Sequence, residues 1–242
     1  MTVTARARRA RWAAGSAVAL AVLCAGAATV ASARDDGTDH HAAAPAPQVP
    51  ATDSADAGFA RDMAVHHQQA VEMSFIVRDR TDDEDVRRFA YDIANTQANQ
   101  RGMLLGWLDL WELPKAAAGQ EPMAWMAERH EGHEGHDMAG MPGMGSGYEA
   151  HDGSLMPGMA TRTELGQLRR ASGEQAEILY LQLMTDHHEG GVDMARGCAR
   201  LCTVKAEKRL AQGMVEGQRS ELDAMARMLA DRGAAPRPAK AP

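Results

Sequence analysis

Two segments of the chain carry the same arrangement of metal-donor side chains: "MAVHHQQAVEM" from Met63 to Met73 and "MTDHHEGGVDM" from Met184 to Met194. Each sets a methionine, an adjacent histidine pair, a valine, an acid and a second methionine in one order at one spacing. Imidazole nitrogen and thioether sulfur both bind metal ions, and neither carries charge when it does so at neutral pH. Such a soft, neutral set favours Cu(I), with Ag(I) by analogy, over iron or magnesium. A carboxylate-bridged di-iron centre needs inward Glu-x-x-His pairs and two further glutamates. The helical segments hold no such spacing, and Glu72 falls well away from His66 on a helix, so iron is the weaker candidate.

At roughly 100° per residue, Met63, His66, Ala70 and Met73 share one narrow helical face, with His67 at its shoulder. Met184, His187, Gly191 and Met194 repeat that face, with His188 at the shoulder. Burying imidazoles on an apolar stripe costs desolvation unless the ring nitrogens find partners, so doing it twice points to a ligand. The competing reading is a core in which histidines bond to carboxylates or to Gln97 and Gln218, and methionines fill gaps. Cys198 and Cys202 continue the second face one turn apart. They either extend the soft site as thiolates or, outside the cytoplasm, form a disulfide or pack as small buried residues. Their counterparts are Val77 and Thr81, so they stand outside the duplicated set.

Positioning these residues requires helices that repeat. A single gapless offset of 121 residues pairs Met63 with Met184, His66 with His187, His67 with His188 and Met73 with Met194. It then carries into the following segment, pairing Arg88 with Arg209, Gln97 with Gln218 and Leu108 with Leu229. Two amphipathic hairpins bury their stripes best against each other, which predicts a four-helix bundle with pseudo-twofold symmetry. Composition agrees: of 242 residues 45% are hydrophobic but only 4% aromatic, with Ala, Leu and Met abundant, so the chain is all-α. Helix starts are expected near Asp53 and Ser54, at a capping box "TDDE" (Thr81 to Glu84), at "TRTE" (Thr161 to Glu164), near Gly173 and near Thr203.

The expected organisation is a signal peptide over 1–33, a flexible linker over 34–53, a first hairpin over 54–113, a Met/His-rich disordered insert over 114–160, a second hairpin over 161–233 and a disordered tail over 234–242. The leading segment places Arg6, Arg8, Arg9 and Arg11 before an apolar run and ends on "ASA", a small-x-small cleavage site. An uncleaved membrane anchor is the alternative, because the run is close to spanning length. Arg8 and Arg9 also permit twin-arginine export. Without that segment 22 basic residues face 33 acidic ones, a net of −11, a surface that repels nucleic acid and anionic membrane and suits cations.

The insert "EPMAWMAERHEGHEGHDMAGMPGMGSGYEAHDGSLMPGMA" holds seven of the sixteen methionines and four of the ten histidines. They are Met123, Met126, Met138, Met141, Met144, Met156 and Met159, with His130, His133, His136 and His151. Its Gly/Pro content opposes a packed helix, which leaves these donors available to wrap metal. A low-complexity linker is the bland alternative.

The double "M-x-x-H-H-x-x-x-V-[E/D]-M" motif, each copy followed by a helix bearing a glutamine and a Trp-Leu or Met-Leu ending, resembles the domain-of-unknown-function 305 family of secreted bacterial proteins. The resemblance covers about 53–112 and 173–231. It implies a ferritin-like four-helix bundle of two repeated hairpins, with the family's His-His pair at His66 with His67 and at His187 with His188. Copper-binding members of the CopM type agree with the soft donors. The chain departs from the family pattern at Gln100, where an acid is common, as at Glu221.

These readings converge on an exported protein that buffers or sequesters Cu(I)/Cu(II), with metal ions as its partners, no nucleic acid, and membrane contact only through a retained signal. Protein partners are left open. The proposed ligands are Met63, His66, His67, Met73, Met184, His187, His188 and Met194 in the bundle, with Cys198 and Cys202. In the insert they are His130, His133, His136, Met138, Met141, Met144, His151, Met156 and Met159. No enzymatic activity is expected. A metal oxidase and a structural bundle with pH-sensitive core histidines are the alternatives.

Overall fold

The computed structural model describes residues 49–127 and 148–238. These lie in a unit spanning Gln48–Pro242. The signal peptide, most of the linker, the last residues of the tail, and His130, His133, His136, Met138, Met141 and Met144 fall outside the described residues. Among the described residues no helix is long and apolar enough to cross a membrane.

The described chain is helical, with α1 (Ala55–Arg78), α2 (Glu84–Leu110), a short α3 (Arg162–Arg170), α4 (Glu174–Leu201) and α5 (Lys205–Asp231), and one 3-10 turn at Ala124–Met126. Local sequence explains most boundaries. The Ser54 hydroxyl accepts from the Ala57 N–H to start α1, and Thr161 with Glu164 closes a full capping box on α3. At α2 the expected box is displaced: Asp83 is the cap, accepting from the Asp85 and Val86 amides. Thr81 instead accepts from the Asp83 N–H at 2.9 Å and donates to Glu177.

That second bond belongs to a pair of cross-hairpin latches whose acids are related by the 121-residue offset. Near the start of α4, Glu177 binds Thr81 at the entrance to α2, and also takes the Arg232 Nε at 2.7 Å. Near the start of α1, Asp56 receives the Thr203 N–H at 2.9 Å, the Val204 N–H at 2.7 Å and the Thr203 hydroxyl at 3.1 Å. Val204 is the N-cap of α5 and has no capping side chain. Each hairpin's first helix thus supplies the acid that satisfies the turn before the other hairpin's second helix.

The core divides into two apolar halves, and all four long helices contribute to both. One half gathers Phe59, Met63, Leu104, Leu108, Met194, Cys198 and Met214. The other gathers Met73, Val77, Val86, Ile93, Leu181, Met184, Met225 and Leu229, with Leu165 and Leu168 of α3. In α1 the first half lies N-terminal and in α4 it lies C-terminal, so the two run antiparallel. The histidine pairs fall between the halves on both helices.

The insert departs from expectation at its described ends. Residues 148–160 form a strap whose Met156 and Met159 are buried in the first apolar half. Gln69 clasps it, accepting the Ala160 N–H at 2.6 Å and donating to the Ala160 carbonyl at 2.9 Å. Gly158, at φ +81°, and Gly190 allow its close approach to α4: a Cβ on Gly190 would stand 2.2 Å from the Pro157 carbonyl oxygen. Apolar burial therefore takes two methionines that composition alone had offered as exposed ligands.

Replacing Gly190 by Ala should push the strap off α4 and cost about 1–3 kcal/mol. Urea denaturation reads the loss, and limited proteolysis should show faster cleavage within 148–160. An unaltered midpoint and cleavage rate would show that the strap does not depend on this contact.

Candidate metal centre

His66, His67, His187 and His188 are all fully buried, forming a polar waist between the two apolar halves. His66 and His187, one offset apart, meet across the α1–α4 contact with ring centroids 3.7 Å apart and planes inclined at 31°. His187 Nε2 lies 2.9 Å from the His66 carbonyl oxygen and donates to it in the tautomer that carries the proton there. The other two histidines turn toward the second helix of their own hairpin. His67 Nε2 is 2.8 Å from Gln100 Oε1, and His188 Nε2 is 2.8 Å from Glu221 Oε2. The histidine and its partner are 33 residues apart in both copies. The departure noted at Gln100 is therefore an amide standing where the other repeat uses a carboxylate.

Several ring nitrogens keep no hydrogen-bond partner: Nδ1 of His67, His187 and His188, and both nitrogens of His66, near which the Pro157 carbonyl lies without ordinary hydrogen-bond geometry. The side-chain amides of Gln97 and Gln218, 2% and 4% exposed, are likewise unpaired. Gln218 occupies the space left by the missing side chain of Gly191. The two glutamines thus do not satisfy the histidines in the way a purely structural core would require. An unmet buried polar group costs about 1–3 kcal/mol, so a waist of this kind calls for a further partner. Metal coordination is one interaction that a neutral imidazole nitrogen accepts.

Burial, then the neighbouring His67 and His188, hold His66 down at about 3. Burial likewise holds His67 at about 3, against the raising effect of Gln100, and keeps His187 well below the ordinary imidazole range. These rings are neutral at physiological pH, the form that binds metal.

All four bundle methionines are fully buried, and they are divided between the two sides of the waist. Met63 packs in the half that holds Met194, and Met73 in the half that holds Met184. Each side of the waist thus holds one motif methionine from each repeat. Among the described residues, however, no three of the histidine ring nitrogens converge within 4.8 Å of one another. The stacked His66 and His187 rings explain this, because they face each other rather than a common point. Glu72 pairs with Arg169 and Asp193 with Arg196, both away from the waist.

Cys198 and Cys202 correct the extended-thiolate expectation. They are joined in a disulfide, so neither presents a thiolate to the waist. Cys202 is the C-cap, with φ −63° and ψ 148°, and leaving the helix there lets the chain bring Cα atoms 4.8 Å apart. His151 is exposed, its Nδ1 2.9 Å from the Glu149 carbonyl, and is remote in sequence from the other imidazoles. Met123 and Met126 are half-buried beside the 3-10 turn. The latches and Glu207 escaped sequence reading, since isolated acids carry no periodic signal; laying the halves on the 121-residue offset would have exposed Glu207 opposite Val86.

A family model described as "Domain of unknown function (DUF305)" matches residues 56–229. A DUF305 protein of Streptomyces coelicolor, assigned as secreted, has a crystal structure 58% identical to the chain, with a TM-score of 0.65, covering 78% of this chain and 99% of that one. A DUF305 fragment from Deinococcus radiodurans is 25% identical, with a TM-score of 0.56 over 76% of this chain and 99% of that one. CopM in its Cu(I)-bound form is 16% identical, with a TM-score of 0.50 over 73% of this chain and 96% of that one, a likeness of fold. No curated protein matches.

The buried rings set a pH dependence. Unfolded histidines titrate near 6.5, whereas His66 and His67 do so at about 3 when folded. The unfolded state therefore binds more protons below pH 6.5, and stability falls on acidification, by up to about 1.4 kcal/mol per pH unit for each ring. Glu207 opposes this: burial and then Asp56 push its carboxyl up to about 9, so the folded state holds a proton that the unfolded state releases. Burial also raises the carboxyls of Asp62, Glu189 and Asp193, which act in the same sense as Glu207. The three fully buried rings outweigh these acids, and the urea midpoint should drop between pH 6.5 and 4.5. A midpoint that stays level or rises over that range would contradict neutral buried rings.

Proposed function

The chain belongs to the DUF305 family, and on that premise we propose that it is an exported copper-binding protein that buffers or sequesters Cu(I) and Cu(II) as cargo. The observation that carries the reading is the waist itself: four buried imidazoles, two from each repeat, retain ring nitrogens without hydrogen-bond partners. His66, His67, His187 and His188 would hold the ion, with the Met63–Met194 and Met73–Met184 sides supplying thioethers. A neutral nitrogen and sulfur set suits Cu(I), which is satisfied by few donors. Silver fits the same donors; iron fits less well, since Glu72 and Asp193 are engaged elsewhere.

The acidic surface and the Met/His-rich insert support capture of cations, and His130, His133, His136, Met138, Met141 and Met144 would take Cu(I) or Cu(II) there. CopM, a protein of similar fold, has been solved with Cu(I) and with Cu(II), which favours copper as the ion. Export rests on the leading segment and on the Streptomyces relative assigned as secreted. No catalytic step belongs to the proposal; an oxidase would consume oxygen in a Cu(I)- or Fe(II)-dependent way.

A second reading is favoured by the bonds of His67 to Gln100 and His188 to Glu221, which would let the waist act as a structural, pH-sensitive core. One pair of measurements separates them. Cu(I) at a hundredfold excess over its dissociation constant should raise the unfolding free energy by about 2.7 kcal/mol. The double variant H66L/H187L should remain folded, because leucine fills the same apolar contact, and should lose that shift. Deleting 128–147 should lower copper stoichiometry while leaving the shift in place. Wild-type stability indifferent to copper would favour the structural reading.

A further inference from the structure

Glu207 is a buried acid with no part in the copper waist. It sits fully buried in the first turn of α5, and neither carboxyl oxygen has a hydrogen bond of ordinary geometry. One offset earlier the same place in α2 is Val86, also fully buried. Packing explains the valine; it does not explain an acid.

The acid is not the sole departure at this place. The 121-residue offset matches Val77 to Cys198, Thr81 to Cys202 and Val86 to Glu207. Three positions with no strong metal donor in one repeat are three donor residues in the other. A sulfur of each cysteine and a Glu207 carboxyl oxygen lie within 4.8 Å of one another, and all three residues are buried. Asp56 lies close enough to Glu207 to act on its carboxyl both as a like charge and as a hydrogen-bonding neighbour, while its oxygens also receive Thr203 and Val204. Burial and then Asp56 keep the Glu207 carboxyl protonated at neutral pH, pushed up to about 9, so it rests uncharged until a cation displaces the proton.

We propose that reduction of the Cys198–Cys202 disulfide opens a second metal site, in which both cysteine sulfurs and the Glu207 carboxylate hold a thiophilic divalent d10 cation of the zinc type. The set shares no residue with the histidine waist and does not depend on the copper reading. A small dithiol supplies the two electrons, since Cys202 is only 2% exposed. The reductant's sulfurs break the S–S bond by exchange and end as its own cyclic disulfide, leaving a thiol on each cysteine. The cation then displaces one proton from each thiol and one from Glu207. Two thiolates and a carboxylate around a divalent ion leave a single net negative charge, and this donor class is one that zinc accepts.

The experiment uses the full chain carrying C24S, so that Cys198 and Cys202 are its two cysteines, reduced anaerobically with dithiothreitol, freed of reductant and titrated with Cd(II). Thiolate-to-cadmium charge-transfer absorption reports this site and is silent at imidazole or thioether sites. The reduced protein should develop the band and release three protons per ion below pH 8, and the oxidised protein should show no band. E207V restores the residue of the other repeat; it should weaken cadmium binding by about tenfold or more and release one proton fewer. E207Q serves the same purpose should the valine variant not fold. C198S/C202S should abolish the band, and H66L/H187L should retain it. No band on reduction, unfolding on reduction by circular dichroism, or unchanged affinity and proton count in the Glu207 variant would each overturn the proposal.

Discussion

The constraint on which the rest depends is the burial of four imidazoles where two repeated hairpins cross. His66 stacked on His187 occupies the place where an ordinary bundle would put leucines. Aliphatic side chains could fill that layer without polar atoms to satisfy. The histidines split the core instead into two apolar halves, each of which must seal one side of a polar layer. Packing that excludes water keeps His66, His67 and His187 neutral, the form of imidazole able to bind a metal ion.

Symmetry produces the waist, and departures from symmetry specialise it. The acids Asp56 and Glu177 are equivalent by the repeat, though one receives backbone N–H groups and the other a threonine hydroxyl: each reaches from one hairpin to the helix entrance of the other, tying the hairpins together beyond apolar contact. The strap does not obey it. Gln69 and Gly190 are equivalent by the offset, yet one offers a clasping amide and the other an absent side chain, and the strap lies between them. Gln100 and Glu221 differ too, so one shoulder histidine is held by a neutral amide and the other by a carboxyl group.

Much of this was legible in the residues. Periodicity and the 121-residue repeat implied two hairpins, an all-helical bundle and histidines from both copies meeting at its centre, because a helical stripe has one place to go when it must be buried. Caps at Ser54 and Thr161 followed from local chemistry. The cap at α2 did not: Thr81 satisfies the box pattern, but Glu177, far off in sequence, draws its hydroxyl away and leaves Asp83 to cap the helix. The burial of Met156 and Met159 was not legible for a related reason. Gly/Pro-rich composition describes backbone freedom, whereas burial depends on whether a facing surface exists, here the gap above Gly190.

Sequence by itself determined the helical class, the duplication and the set of candidate soft donors, since these depend on residue type and on spacings within one helix. Tertiary structure alone decided which donors share a neighbourhood. It set Met63 beside the Met194 side and Met73 beside the Met184 side, joined Cys198 to Cys202, and brought a buried acid to that pair. The reason is physical: helical periodicity specifies which face a residue occupies, whereas contacts across helices follow from the antiparallel crossing and the packing of whole surfaces.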